Sequence, residues 1–184
     1  MPPFIILTSL ILSVLTVIVD LLIIFLGAGI ILAKRRVKIR FFDALTNFCG
    51  RHALPLLFAL TFGGVAASLF YSNVAGFIPC TLCWWQRIFL YPQALIFALA
   101  IYARQKTPRV YAWALTLPGF VIAAYHTYLQ FGGSPLLPCS ATTATTCAQR
   151  YFLNFGYVTI PTMALTAFAL IGVLLLAEST AAPK

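Results

Sequence analysis

Charge is what this chain has least of. Only 8% of its 184 residues are Asp, Glu, Lys or Arg, where a soluble domain carries roughly 25%. So few charges cannot keep a globule of this size in water, and 62% of the residues are hydrophobic. The solvent of such a chain is mostly lipid. Acidic residues are scarcer still, 3 against 12 basic ones, leaving a formal net charge of +9. A basic excess can signal nucleic acid, but here the charges cluster between apolar runs rather than covering a face. That pattern sets membrane topology and favours anionic headgroups, and nucleic-acid binding is the weaker reading. No basic region precedes the first apolar run, which is also longer than a signal-peptide core, so it reads as a retained helix. No internal repeat or low-complexity tract is visible.

What is there is a series of five apolar stretches. They lie at about Phe4–Ala33, Ala53–Tyr71, Trp84–Ala103, Val110–Gln130 and Tyr157–Ala177. Each can cross a hydrocarbon core of about 30 Å as a helix of about 20 residues, and continuous runs this long are helices because lipid cannot satisfy backbone groups. Between Val37 and Cys49, Phe41, Phe42, Leu45 and Phe48 fall mainly on one side of a helix, which predicts a short helix lying in the interface. The fold expected is all-α and integral to a membrane.

Basic residues fix the orientation. Lys34, Arg35, Arg36, Lys38, Arg40 and Arg51 follow the first run, Arg104, Lys106 and Arg109 separate the third from the fourth, and Lys184 ends the chain. The positive-inside rule puts all of these in the cytoplasm. The connections Ser72–Cys83 and Phe131–Gly156 are then outside. This topology sorts the five cysteines: Cys49 is cytoplasmic, whereas Cys80, Cys83, Cys139 and Cys147 all lie on the oxidising side.

Cys80 and Cys83 form a C-x-x-C at the start of a predicted helix, whose amino-terminal dipole lowers thiol pKa. The second cysteine is not followed by His, which excludes covalent haem attachment. Trp84 and Trp85 place the pair at the membrane surface. Cys139 and Cys147 flank the Thr/Ala-rich stretch 140–146, which has little to bury and is expected to be exposed and mobile. Two inert disulfides, a four-thiolate zinc site and unpaired packing cysteines are the other readings; the second pair is spaced more loosely than usual zinc knuckles. Spacing and compartment favour a redox relay.

Three polar residues stand out near these cysteines or within apolar runs. Arg87 follows Cys83 by one helical turn, where a cation costs several kcal/mol unless partnered or able to snorkel. His126 lies near the outer end of the fourth run, at the depth of the cysteines, and can move a proton near neutral pH. Asp20 lies in the middle of the first run with no evident partner. Pro92 and Pro161 are expected to kink their helices, Arg150 reads as a headgroup or partner contact, and His52 is assigned nothing.

The run Cys80-Thr81-Leu82-Cys83-Trp84-Trp85-Gln86-Arg87-Ile88-Phe89-Leu90-Tyr91-Pro92 resembles the signature of the bacterial disulfide-bond-formation protein B (DsbB/BdbC-like) family. Tyr125–Gln130 followed by Cys139 resembles the approach to that family's outer loop, and Cys147–Arg150, Phe155-Gly156 and Pro161 resemble its exit. The resemblance runs from about Arg40 to Ala177. It implies a four-helix transmembrane bundle, here with one additional N-terminal transmembrane helix, in the bacterial cytoplasmic (inner) membrane. The implied function is a protein-disulfide oxidase that reoxidises a DsbA-like thioredoxin-fold thiol oxidase and passes the electrons to ubiquinone or menaquinone from the quinone pool. By position, Cys139 resembles the cysteine attacked by the partner, Cys147 its companion that exchanges with Cys80, and Cys83 the cysteine beside the quinone. Arg87 and His126 match the quinone-binding residues. The corresponding division is 1–36 extra helix and basic flank, 37–52 interfacial segment, 53–178 catalytic bundle with cysteine loop 131–156, and 179–184 tail. The stretch between Cys139 and Cys147 is shorter than in long-looped relatives and lacks room for their amphipathic loop helix. Competing readings are a non-enzymatic membrane scaffold with two structural disulfides, and a vitamin-K-epoxide-reductase-like enzyme, in which the loop cysteines precede the C-x-x-C instead of following it.

Overall fold

The computed structural model describes residues 2–35, 37, 39–134 and 147–180. Cys139 and the Thr/Ala-rich stretch lie outside the described residues. Most of the rest is helical: α1 (Pro3–Lys34), α2 (Arg40–Arg51), α3 (Ala53–Leu69), α4 (Thr81–Tyr102), α5 (Arg109–Gln130) and α6 (Ile160–Thr180). The five apolar runs and the short amphipathic segment each correspond to one helix. Helix α3 ends in a π-helical turn, Phe70–Val74. Three helical units, Pro3–Lys34, Ala53–Val74 and Ile160–Thr180, are long and apolar enough to cross a membrane.

Helices α3, α4, α5 and α6 pack each on the next in chain order, and α6 also packs against α3. Their shared interior holds Leu57, Leu90, Phe97, Ala123, Phe168, Ile171 and Leu175. A Cβ on Gly119 would collide with the Phe168 ring, so the bare backbone there lets α5 and α6 approach. One polar pair crosses this interior: the Thr116 hydroxyl donates to Gln93 Oε1 at 3.1 Å, while Gln93 Nε2 donates to the Phe89 carbonyl. Gln93 thus meets a partner at both its amide oxygen and its amide nitrogen, as a buried amide requires.

Helices α1 and α2 lie against α6. Helix α2 is amphipathic as expected, but its buried side is built from small groups. Thr46, Cys49 and Gly50 are buried, while Phe41 and Phe48 face outward. Gly29 of α1 meets Thr46 and Phe42 so closely that a side chain there would displace them.

Asp20 has partners after all. Its Oδ2 accepts from the Tyr157 hydroxyl at 2.7 Å and its Oδ1 from Thr166 Oγ1 at 2.6 Å. Two turns towards the amino terminus, Ser13 Oγ accepts from Asn154 Nδ2 at 2.8 Å. These three bonds come from residues more than 130 positions away, which is why the sequence offered no candidate. Pro92 sits inside α4, whereas Pro161 is the second residue of α6, in the first turn, where its missing N–H costs no bond. The kink expected at Pro161 is therefore absent for a simple reason of register.

Candidate active site

Cys80 is the N-cap of α4, in extended conformation, and Cys83 lies in the first turn. This brings the two sulfurs to 3.3 Å in the reduced, unbonded form. Cys80 is buried and Cys83 half-exposed. The hydrogen bond from the Cys83 thiol is the largest influence on Cys80. With a further bond from His126, it outweighs desolvation and lowers the Cys80 pKa to about 4. Cys80 is thus the thiolate of the pair at neutral pH, next to the positive end of α4.

His126, on α5, is almost wholly buried and is the hinge of a small network. Its Nε2 lies 3.1 Å from the Cys147 carbonyl and 3.6 Å from Cys80 Sγ. Its Nδ1 lies 3.1 Å from Gln86 Nε2. A carbonyl can only accept, so Nε2 carries the proton. Nδ1 then accepts from the Gln86 amide, and Nε2–H points at both the Cys147 carbonyl and the Cys80 sulfur. Cys147 is buried, disulfide-bonded, and packed in one cluster with Cys80 and Leu129. Cys80, Cys83, His126, Gln130 and Cys147 together line a cavity of about 30 Å³.

Arg87 occupies a different place. Its Nε donates to Ser68 Oγ at 2.9 Å and its guanidinium to the Ser68 carbonyl at 3.1 Å. It also lies over the Trp84 ring, 5.0 Å from the centroid. The cation is pinned to α3 and does not extend freely to solvent. With Cys83 it lines a second cavity of about 130 Å³, whose wall includes Gly64, Ala67, Tyr71, Phe77, Ala164 and Phe168. Cys83 belongs to both cavities. His126 is not on the wall of the larger one, so the two residues assigned to a common site by sequence line different cavities that share Cys83.

Several residues of this site were not singled out from the sequence. The π-turn, whose Ala75 N–H bonds back to Phe70, carries Tyr71 into the wall of the larger cavity; such turns are common at functional sites. Tyr71 stacks on Phe77 and Phe77 on Tyr151, centroids 5.8 and 4.2 Å apart, and the Tyr151 hydroxyl donates to the Ile78 carbonyl. This aromatic stack joins the α3 end to the chain after Cys147. Ser68 and Gln86 are polar residues in apolar helices, a visible signal, but only their partners give them meaning. Gly76, at φ +71°, makes the turn that returns the chain to Cys80. Elsewhere, Arg150 lies over the Phe131 ring at 5.7 Å, and burial pushes the Cys49 thiol up, which leaves it unreactive.

Membrane-length helices and a C-x-x-C whose first sulfur is held as a thiolate beside a third, disulfide-bonded cysteine define a membrane thiol–disulfide oxidoreductase. A family model described as disulfide bond formation protein DsbB matches residues 50–177. The chain belongs to that family, and is accordingly a disulfide-forming oxidase. It is similar to the SPbeta prophage-derived disulfide bond formation protein B of Bacillus subtilis (strain 168), 40% identical over 116 residues, 63% of this chain and 78% of that protein. Disulfide bond formation protein C of the same organism is 38% identical over 107 residues, 56% and 75% of the two chains. A probable disulfide formation protein of Chlamydia caviae is 32% identical over 133 residues, 72% and 95%. No solved structure matches.

Proposed function

We propose that the chain is a thiol:quinone oxidoreductase of the bacterial cytoplasmic membrane that reoxidises a DsbA-like thioredoxin-fold protein outside it. All five long helices span the bilayer in this reading, α3–α6 as the catalytic bundle and α1 as an added span. The amino terminus lies outside, and 35–39, 103–108 and the tail lie in the cytoplasm. The observation that carries it is the position of Cys83, between a thiolate-stabilising site around Cys80 and a ring-sized apolar cavity with a fixed cation.

The larger cavity fits a quinone headgroup. An apolar cavity of about 150 Å³ accepts a benzene ring, and the 130 Å³ here is nearly all carbon-lined apart from Arg87, Ser68, Ser72 and Gln86. Arg87 would hold a ring oxygen, with Ser68 fixing the guanidinium. A quinone bound there takes up two electrons and two protons.

The sulfur steps follow from the residues. A partner thiolate attacks the Cys139–Cys147 disulfide, and the partner's second thiol resolves the mixed disulfide, leaving the loop pair reduced. Cys147 then attacks Cys80 Sγ and expels the Cys83 thiolate towards Arg87. Cys139 attacks the Cys147–Cys80 bond and expels the Cys80 thiolate, which His126 Nε2–H stabilises. Closing Cys80–Cys83 again releases two electrons and two protons.

The test is quinone reduction by the purified chain with a reduced DsbA-like donor, followed by quinone absorbance. Turnover is expected to vanish in Cys83→Ala and Cys139→Ala. Folded protein with both disulfides formed that reduces neither ubiquinone nor menaquinone would instead favour a scaffold.

A further inference from the structure

The small cavity presents a donor set that the oxidase reaction does not fully use. Cys80 Sγ, Cys83 Sγ and a ring nitrogen of His126 all lie within 4.8 Å of one another, with 3.3 Å between the sulfurs and 3.6 Å from Cys80 to Nε2. Tetrahedral zinc with ordinary Zn–S and Zn–N bonds separates two sulfurs by about 3.8 Å and sulfur from nitrogen by about 3.6 Å. Cys80 Sγ and Nε2 already stand at that spacing, and the two sulfurs need to part by only about 0.5 Å.

An independent observation supplies a fourth donor. Gln130 is one turn beyond His126 on α5, lines the same cavity and is only 5% exposed. Its Nε2 donates to the Gln149 carbonyl at 2.8 Å, which fixes which way the amide points. That leaves Oε1 buried with no hydrogen-bond partner among the described residues. A buried bare carbonyl oxygen is costly, and a cation in this cavity would satisfy it.

We propose that the reduced chain binds one Zn²⁺ between Cys80, Cys83, His126 and Gln130, and that the ion holds the pair out of turnover. Two thiolates, an imidazole and one oxygen suit zinc better than hard cations. On binding, the proton shared by the pair leaves to solvent and no electron moves. The His126 proton shifts from Nε2 to Nδ1, and Gln86 turns its amide so that Oε1 accepts it, the outer partner that orients a ligating imidazole. Closing the Cys80–Cys83 disulfide removes two ligands, so the oxidised chain binds no ion. The block on turnover rests on the relay proposed above; the binding does not.

The experiment uses the full chain in detergent with Cys49, Cys139 and Cys147 changed to Ser, reduced and titrated with Cd²⁺ and Zn²⁺. One Cd²⁺ per chain is expected, with a thiolate-to-cadmium absorbance band that is absent once Cys80 and Cys83 are oxidised. Gln86→Leu should weaken binding about 10–100-fold, and Gln86→Glu should restore it. X-ray absorption of the zinc form, which needs no variant at the site, should show two sulfurs and light N/O neighbours. No band, binding that survives oxidation, a sulfur-only shell, or equal affinity in folded His126→Ala would each overturn the site. In the unsubstituted chain, Zn²⁺ should stop quinone reduction, and turnover that persists in zinc-loaded protein overturns the block. Binding in a chain that never reduces quinone would leave the site standing and remove the relay.

Discussion

The Cys80 sulfur receives hydrogen bonds from two directions, Cys83 and His126, and this has consequences that can be measured at one residue. A thiolate stabilised in the reduced form makes its disulfide a stronger oxidant. A hydrogen bond to a charged group is worth about 1.5–3 kcal/mol, which for a two-electron couple is about 30–60 mV. His126→Leu is therefore expected to lower the Cys80–Cys83 reduction potential by about that amount, read by equilibration with glutathione. The thiolate's ultraviolet absorbance should persist as pH falls and disappear only near pH 4, the value to which the Cys80 pKa is lowered. Because the unfolded thiol stays protonated up to about pH 8.5, the unfolded chain binds more protons between these limits. The Cys80 contribution to the stability of the reduced protein hence rises with pH across that window and is lost as pH falls towards 4. Urea unfolding of reduced chain at several pH values checks the sign.

At the scale of elements, the site is a junction of helix ends. The first turn of α4 holds both sulfurs, the outer end of α5 brings His126 and Gln130, and the π-turn after α3 swings Tyr71 towards α6. Ser68, two residues before that π-turn, ties Arg87 to α3 and also accepts from Tyr91 at 3.3 Å. Arg87→Ala should slow quinone reduction by about tenfold or more, on the worth of a charged hydrogen bond, while leaving thiol exchange with the partner intact. Stopped-flow measurement of the two half-reactions separates them. Filling the larger cavity tests the same division differently. Ala164→Leu places about three extra carbons in its wall and should abolish quinone turnover, yet the Cys80–Cys83 pair should still accept electrons from the loop pair.

At the scale of the whole molecule, α1 is held by a polar seam as well as by packing. Asp20 with Tyr157 and Thr166, and Ser13 with Asn154, fasten it to α6 and to the chain that follows Cys147. Ile5 and Leu12 of α1 extend this contact into the cluster of Tyr71, Phe77 and Tyr151. Asp20→Leu strands two hydroxyls and should cost about 1–3 kcal/mol, measured as a lower midpoint of thermal unfolding in detergent. Asp20→Asn, which can still accept from one hydroxyl, should lose less. A greater loss in Asp20→Asn than in Asp20→Leu would mean that the carboxylate is not what docks the helix.

Length and hydropathy alone determined the helices, because lipid imposes about 20 apolar residues per crossing and forbids open backbone. The C-x-x-C and its place at a helix start were equally plain, since spacing and N-terminal position are local properties. Partners were not. Asp20, Arg87 and Gln86 each stood in the sequence as isolated polar residues, and their meaning depends on groups 19 to 146 positions away. The division of Arg87 and His126 between two cavities is of the same kind. Both are set near the depth of the cysteines by their helices, but the angle at which α3, α5 and α6 surround α4 decides which sulfur each one meets. The π-turn adds a residue to α3 where no periodicity marks it, and only the packed structure turns Tyr71 inward. Local chemistry fixed which groups react; tertiary packing decided which of them face one another.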